Sequence, residues 1–215
     1  FFHIAYQGQY FSGWQKQPGV KSVQEVIEQT LSKILKSPIT INGCGRTDAH
    51  VHASQFFFHA DIEKIIAFDL LYIVNKALPY NIAVFDIIEM EGKPHARFDA
   101  VQRKYDYFVH TYKDPFLSTQ SSFYQVDNLF RFHIASNRFL GKMIRITMGK
   151  ILMVGKNELS VEEFENDLIT LQASKLTLPA HPTGLYLSKV TYPYLNLEPR
   201  TEFINVAQGA EWISV

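Results

Sequence analysis

The residues best suited to chemistry stand in one short stretch, Gly45-Arg46-Thr47-Asp48-Ala49-His50-Val51-His52-Ala53, which leads into the aromatic run 55–59. It puts a lone carboxylate, Asp48, two residues from a guanidinium, Arg46, in what reads as a tight turn. A carboxylate that stays ionised and is held in one orientation can serve as a nucleophile or stabilise a developing cation, and it needs a partner charge once it is partly buried. The same residues admit plainer roles. Asp48 can close an ordinary turn with Arg46 as surface charge or as an ion pair holding the turn. Asp48, His50 and His52, at alternate positions, could line one face of an extended segment and hold a metal, as a metal-dependent hydrolase would require. The neighbouring Cys44 reads as a small buried hydrophobe.

Elements must position that turn, and the hydrophobic pattern supplies them. Residues 2–7 form a short apolar strand, and Ser22-Val23-Gln24-Glu25 is a capping box opening a helix with Val23, Val26, Ile27, Leu31, Ile34 and Leu35 on one face, stopped by Pro38. Residues 39–41 and 55–59 read as strands flanking the Asp48 turn, 66–78 as a helix ended by Pro79, and 82–90 as a β-rich run. Strands follow at 104–112 and 129–135, a helix at 138–154, a second capping box at Ser160-Val161-Glu162-Glu163 and a strand at 185–192. Both parts of the chain thus follow a similar plan with no low-complexity linker between them. The expectation is an α+β fold in which two similar α/β halves, 1–97 and 98–215, share one mixed, mainly antiparallel sheet with flanking helices.

Composition narrows the function classes. The 215 residues are 47% hydrophobic, enough to bury a full core. No run of about 18 apolar residues is present and the apolar start, 1–6, is too short and uncharged for a signal peptide, so a cytoplasmic protein with no membrane span is expected. One cysteine excludes an internal disulfide and a multi-cysteine zinc site. The net charge is zero, yet residues 1–92 hold 7 basic and 9 acidic side chains, 93–156 hold 11 and 4, and 157–215 hold 3 and 8. A basic middle segment can form one face toward a phosphate backbone, or its charges can scatter over the surface. It also leaves open a pure RNA-binding module built from that segment and its aromatics, which would have no use for a held carboxylate.

The Asp48 stretch followed by Gln55-Phe56-Phe57-Phe58-His59 resembles the active-site motif of the tRNA pseudouridine synthase A family. Four further blocks are similar in the same order. Tyr10-Phe11-Ser12-Gly13-Trp14-Gln15-Lys16-Gln17-Pro18 with the first capping box matches the opening pattern. His95-Ala96-Arg97-Phe98-Asp99-Ala100 with Arg103-Lys104-Tyr105-Asp106-Tyr107 matches the segment of the active-site tyrosine. Asn137-Arg138-Phe139-Leu140 through Met143-Ile144-Arg145 to Gly149 matches the helix presenting the active-site arginine, and Pro179-Ala180, Gly184-Leu185-Tyr186-Leu187 and Tyr192-Pro193 match the closing motif. The chain departs from the pattern at His50, where the family usually has glycine, and in having only 12 residues between Tyr124 and Asn137, where the family places a helix and a further stretch.

The resemblance implies the pseudouridine synthase fold and an isomerase that converts uridine to pseudouridine in the anticodon stem-loop of tRNA, at positions 38, 39 and 40, as a homodimer. It implies Asp48 as nucleophile or essential carboxylate, Arg145 as its charge partner and Tyr105 as a ring against the target base that takes part in proton transfer. Arg46 is expected to fill the space left by the extruded base and to contact phosphate, Leu185 and Tyr186 to wall the pocket or to be plain core strand, and Arg138 and Lys142 to hold phosphates. The reaction breaks the N1–C1′ bond and rebuilds it through C5 with no net redox change or hydrolysis, so no cofactor and no metal are expected. In that light His50 and His52 are turn and packing residues.

Overall fold

Two phenylalanine-bearing strands begin the sheet. In the computed structural model, which describes residues 1–63, 65–124, 130–170 and 178–200, strand β1 (Phe2–Tyr6) lies antiparallel between β3 (His52–His59) and β4 (Ile82–Ile87). Phe2 faces Phe58 in register, their rings stacked 4.6 Å apart, so the pairing buries aromatic area at every second residue. The two-residue β2 (Asn42–Gly43) pairs with β3. Further along the chain come β5 (Gln102–His110), β6 (Ser122–Phe123), β7 (Phe130–Ser136) and β8 (Leu185–Thr191). The order across the sheet is β4-β1-β3-β8-β5-β6, with β2 on β3 and β7 on β5. Among the described residues only β3–β8 and β5–β6 are parallel, which makes this an α+β fold with a mixed, mainly antiparallel, eight-stranded sheet.

Among the described residues four helices flank the strands: α1 (Val23–Leu35), α2 (Leu70–Ala77), α3 (Met143–Gly155) and α4 (Val161–Thr170). Both capping boxes cap. Ser22 Oγ accepts from the Glu25 N–H at 3.2 Å, and Ser160 and Glu163 bond each other reciprocally at 2.8 and 3.0 Å. The apolar face of α1 is buried at Val23, Ile27, Leu31 and Leu35, and the helix ends on Lys36 in the left-handed region, two residues before Pro38.

The strands expected at 55–59, 82–90 and 104–112 are His52–His59, Ile82–Ile87 and Gln102–His110, and three elements differ further from the sequence reading. The strand expected at 39–41 is instead Asn42–Gly43, because the N–H of Ile41 is taken by the Glu28 carboxylate and that of Ile39 by Ser32 Oγ. The helix expected over 66–78 starts at Leu70, where Asp69 caps it through the Tyr72 N–H. The helix expected from Arg138 starts at Met143, because Lys142, with φ 60°, turns the chain just before it. Strand β7 begins at Phe130, and Leu129, included in the expected strand, lies outside the described residues.

Two hydrophobic clusters result. One packs α1 and α2 on β1 and β3 around Phe2, Trp14, Phe56 and Phe58. The other packs α3 on β5 and β8 around Tyr107, Ile144, Met148 and Leu185, and also takes in Val51. Tyr105 packs against both. Among the described residues no helix is long and apolar enough to cross a membrane.

Candidate active site

Asp48 sits at the start of a reverse turn closed by the Val51 N–H to the Asp48 carbonyl at 3.2 Å. The third residue of that turn, His50, has φ 64°, the conformation in which glycine is favoured. Histidine holds it through a 2.7 Å bond between its ring Nδ1 and the Gln9 carbonyl, while its own N–H donates to the Phe11 carbonyl at 3.2 Å. The segment before the turn is tied down as well. Tyr6 shares a 2.8 Å hydrogen bond with the Thr47 hydroxyl, and the Trp14 N–H donates to the Thr47 carbonyl at 3.1 Å. Behind it, Val51 is 2% exposed within the second cluster, a burial that stabilises the turn by roughly 1.5–3 kcal/mol. The turn is therefore fixed from three sides, while the Asp48 side chain itself stays 39% exposed.

Arg145 faces it from the first turn of α3. Its Nη1 lies 3.5 Å from the Asp48 carboxylate, an ion pair somewhat longer than the direct hydrogen bond expected from the sequence. The reason is a second commitment of the guanidinium. Arg145 Nε donates to the Ala180 carbonyl at 2.8 Å, and the Ala180 N–H returns a 2.8 Å bond to the Arg145 carbonyl, so the helix and the 179–180 segment hold each other and the arginine together.

Tyr105 is half-buried on β5 just after a register irregularity, where pairing with β8 passes from Lys104–Lys189 to Tyr105–Leu187 and skips Ser188. Such a bulge re-aims the side chain that follows it. The ring stands edge-on to Phe139 at 5.3 Å. Burial pushes the Tyr105 phenol well above its ordinary pKa, Cys44 and Asp48 add to the push and Arg103 opposes it, so at neutral pH the hydroxyl keeps its proton and can donate it. The structure thus brings Asp48, Arg145 and Tyr105 into one electrostatic neighbourhood.

The other sequence candidates fall in different places. Arg46 is exposed and makes no ion pair among the described residues. Arg138 and Lys142 are exposed in the 138–142 lead-in to α3 rather than on the helix. Leu185 is 5% exposed beneath α3, beside Val51 and Tyr107 in the same cluster. Tyr186 stacks on His52 at 4.5 Å and donates to the Gln120 carbonyl. Phe139 and the Ala180 carbonyl were not singled out from sequence. Both lie inside blocks of the resemblance, but nothing in their residue types marks them as partners of Tyr105 and Arg145.

His52 is buried, and its Nδ1 accepts the Gly8 N–H at 3.2 Å, which requires the neutral ring. No group of three or more His, Cys, Asp or Glu able to hold a metal ion occurs among the described residues. Burial pushes the His52 pKa down to about 4 from the ordinary 6.5, and a nearby His50 adds to this. Between those values the unfolded chain takes up a proton that the folded chain refuses, so stability is full above about pH 6.5 and falls as the pH drops toward 4. His3, His59, His110 and His181 are pushed down by burial in the same sense. At pH 5 the share from His52 is about 2 kcal/mol. Thermal melts at pH 7.5 and 5 should differ by at least ~4 °C. His52→Gln, which keeps an acceptor for Gly8, should narrow the gap, and equal melting temperatures for the parent at the two pH values would contradict the assignment.

Comparison with known proteins finds relatives along most of the chain. A family model described as tRNA pseudouridine synthase matches residues 87–193, which include β5 with Tyr105, α3 with Arg145 and β8. The proteins called tRNA pseudouridine synthase A from Parabacteroides distasonis and Azobacteroides pseudotrichonymphae are each 32% identical to this chain over 90% of its length and over 95% and 96% of their own. The one from Shewanella pealeana is 32% identical over 88% of this chain and 91% of its own length. The alignment with the first spans 243 positions, more than the 215 residues here, so that relative carries residues this chain does not. The eight-stranded α+β architecture is consistent with the pseudouridine synthase fold. With this identity over nine-tenths of its length, the chain belongs to the tRNA pseudouridine synthase A family.

Proposed function

We propose that the protein isomerises uridine to pseudouridine in tRNA, acting on the anticodon stem-loop at positions 38, 39 and 40, with Asp48 as nucleophile or essential carboxylate. The observation that carries this is the Asp48–Arg145 ion pair at 3.5 Å, with the carboxylate still 39% exposed to a substrate. The Arg145 guanidinium faces the Asp48 carboxylate, and its bond to Ala180 stops it from collapsing fully onto that carboxylate. Attack by the Asp48 carboxylate at C1′ or at C6 leads to cleavage of the N1–C1′ bond, the base turns, and C5 bonds to C1′ as the carboxylate is released, C5 losing its proton and N1 gaining one. The protonated Tyr105 phenol lies against the base and serves the proton transfers. Leu185 is the apolar floor behind the turn.

A uridine inside a stem must leave its stack first, at a cost of a few kcal/mol. Arg46, exposed beside Asp48 and free of an ion pair among the described residues, occupies the vacated space and contacts phosphate. The segment 1–97 supplies the Asp48 turn and 98–215 the tyrosine and arginine. The enzyme works in the cytoplasm as a homodimer with tRNA lying across both copies, and it uses neither cofactor nor metal. Tritium release from C5-labelled uridine in a tRNA transcript tests the reaction directly. Tight binding without release would favour a plain RNA-binding module, and loss of release on chelation would favour a metal-dependent enzyme.

Arg138 and Lys142 flank the entry to α3 and hold phosphates near the site. Replacing both with alanine should weaken binding across different tRNAs and reduce the steepness of its salt dependence by about 0.7–0.9 per lost phosphate contact. The rate on bound tRNA should change little. Filter binding at a series of salt concentrations checks this, and an unaltered slope would move the RNA to another face.

A further inference from the structure

Arg103 stands two residues before Tyr105 on β5, half-buried, and makes no ion pair among the described residues. Its guanidinium instead donates to four main-chain carbonyls. Nη1 reaches Ala100 at 2.8 Å and Asn137 at 2.9 Å, and Nη2 reaches Cys44 at 2.9 Å and Arg97 at 2.7 Å. Four carbonyl oxygens within hydrogen-bonding reach of one group converge closely, and their partial negative charges repel unless a cationic donor sits among them. The planar fork of arginine can serve all four, whereas an ammonium is a point charge that cannot present donors in that plane.

The segments that meet there are those that carry the chemistry. Cys44 opens the stretch leading to Asp48. Asn137 opens the lead-in that brings Phe139 against Tyr105 and then delivers Arg145 on α3. Arg103 itself belongs to β5 just ahead of the register skip that aims Tyr105. We infer that Arg103 is a positioning residue of the active site: its guanidinium clamps the entries of the Asp48 turn and of the Arg145 helix to the strand of Tyr105, and so sets the spacing of the three side chains. This rests on the reading of those three as the catalytic set.

The test uses Arg103→Ala and Arg103→Lys, assayed well below their melting temperatures. In single-turnover tritium release, the alanine variant should lose about a hundredfold or more in maximal rate, the cost of a misplacement of about 1 Å, while tRNA affinity stays within about threefold. The lysine variant should recover little of the rate, and millimolar guanidinium, but not ammonium, should restore part of it to the alanine variant. Hydrogen–deuterium exchange should quicken in segments 43–48 and 137–142 and stay unchanged in α1. A maximal rate within about threefold of the parent, a loss confined to affinity, or faster exchange limited to 97–101 would each overturn the inference. If the alanine variant does not fold, the lysine variant carries both measurements. Should the parent release no tritium, the functional reading fails, and the exchange pattern alone decides whether the clamp exists.

Discussion

Asp48→Asn should reduce pseudouridine formation to below about 1% of the parent rate while leaving tRNA binding within about twofold. The amide keeps the volume and one acceptor oxygen but removes the charge and the nucleophile. Loss of a covalent or charge-stabilising group at the reacting atom raises the barrier by several kcal/mol, and a hundredfold corresponds to about 2.7 kcal/mol. Folding should be nearly unaffected, because the turn is held by Tyr6, Trp14, the His50 bond to Gln9 and buried Val51 rather than by the carboxylate. Tritium release and filter binding on the same preparation separate the two effects. Residual activity above about 1% would remove Asp48 from the centre of the mechanism.

Gly13→Ala should be nearly as damaging by an unrelated route. Gly13 has φ 91°, and a methyl group there would sit 2.6 Å from the Thr47 carbonyl oxygen and 3.2 Å from the Asp48 carbonyl carbon. The backbone strain alone costs about 1–3 kcal/mol, or a melting temperature lower by at least ~2 °C. The steric push falls on the main chain of the catalytic turn, which cannot give way as a flexible side chain would. Turnover should therefore fall about a hundredfold even where the variant is fully folded. Gly19→Ala is the control. Its φ is also positive, at 77°, but the added methyl meets nothing within 4 Å, so it should cost some stability and no rate per folded molecule. Equal rates for the two variants at low temperature would show that the contact behind Asp48 is not needed.

Much of the architecture was legible because it depends on local rules. Ser22 and Ser160 marked helix starts through their glutamates, and the period of Val23, Ile27 and Leu31 marked a buried helical face. The misplacements arose where distant groups captured the backbone, as Glu28 does at Ile41. The pairings of two-residue strands such as β6 leave no period to read. In the site, Asp48, Tyr105 and Arg145 were named by resemblance, since an aspartate in a turn and a tyrosine in an aromatic-rich chain are unremarkable alone. The basic segment 93–156 looks in sequence like one surface, yet Arg103, Arg131, Arg145 and Lys150 are each held by partners within the fold. Sequence counts charges without knowing which of them the fold has already committed to partners of its own.

The parallel seam between β3 and β8 is narrow, with His52 opposite Tyr186 and Ala53 opposite Leu187. It joins residues more than 130 positions apart, directly behind the turn that bears Asp48. Contacts of such long range close late, because their loop entropy must be met before they stabilise anything. Asp48 is delivered from one side of that seam, and Tyr105 and Arg145 from the other. Recovery of catalysis after refolding should consequently trail the return of helical signal, and a chain with either side ordered by itself would be chemically silent.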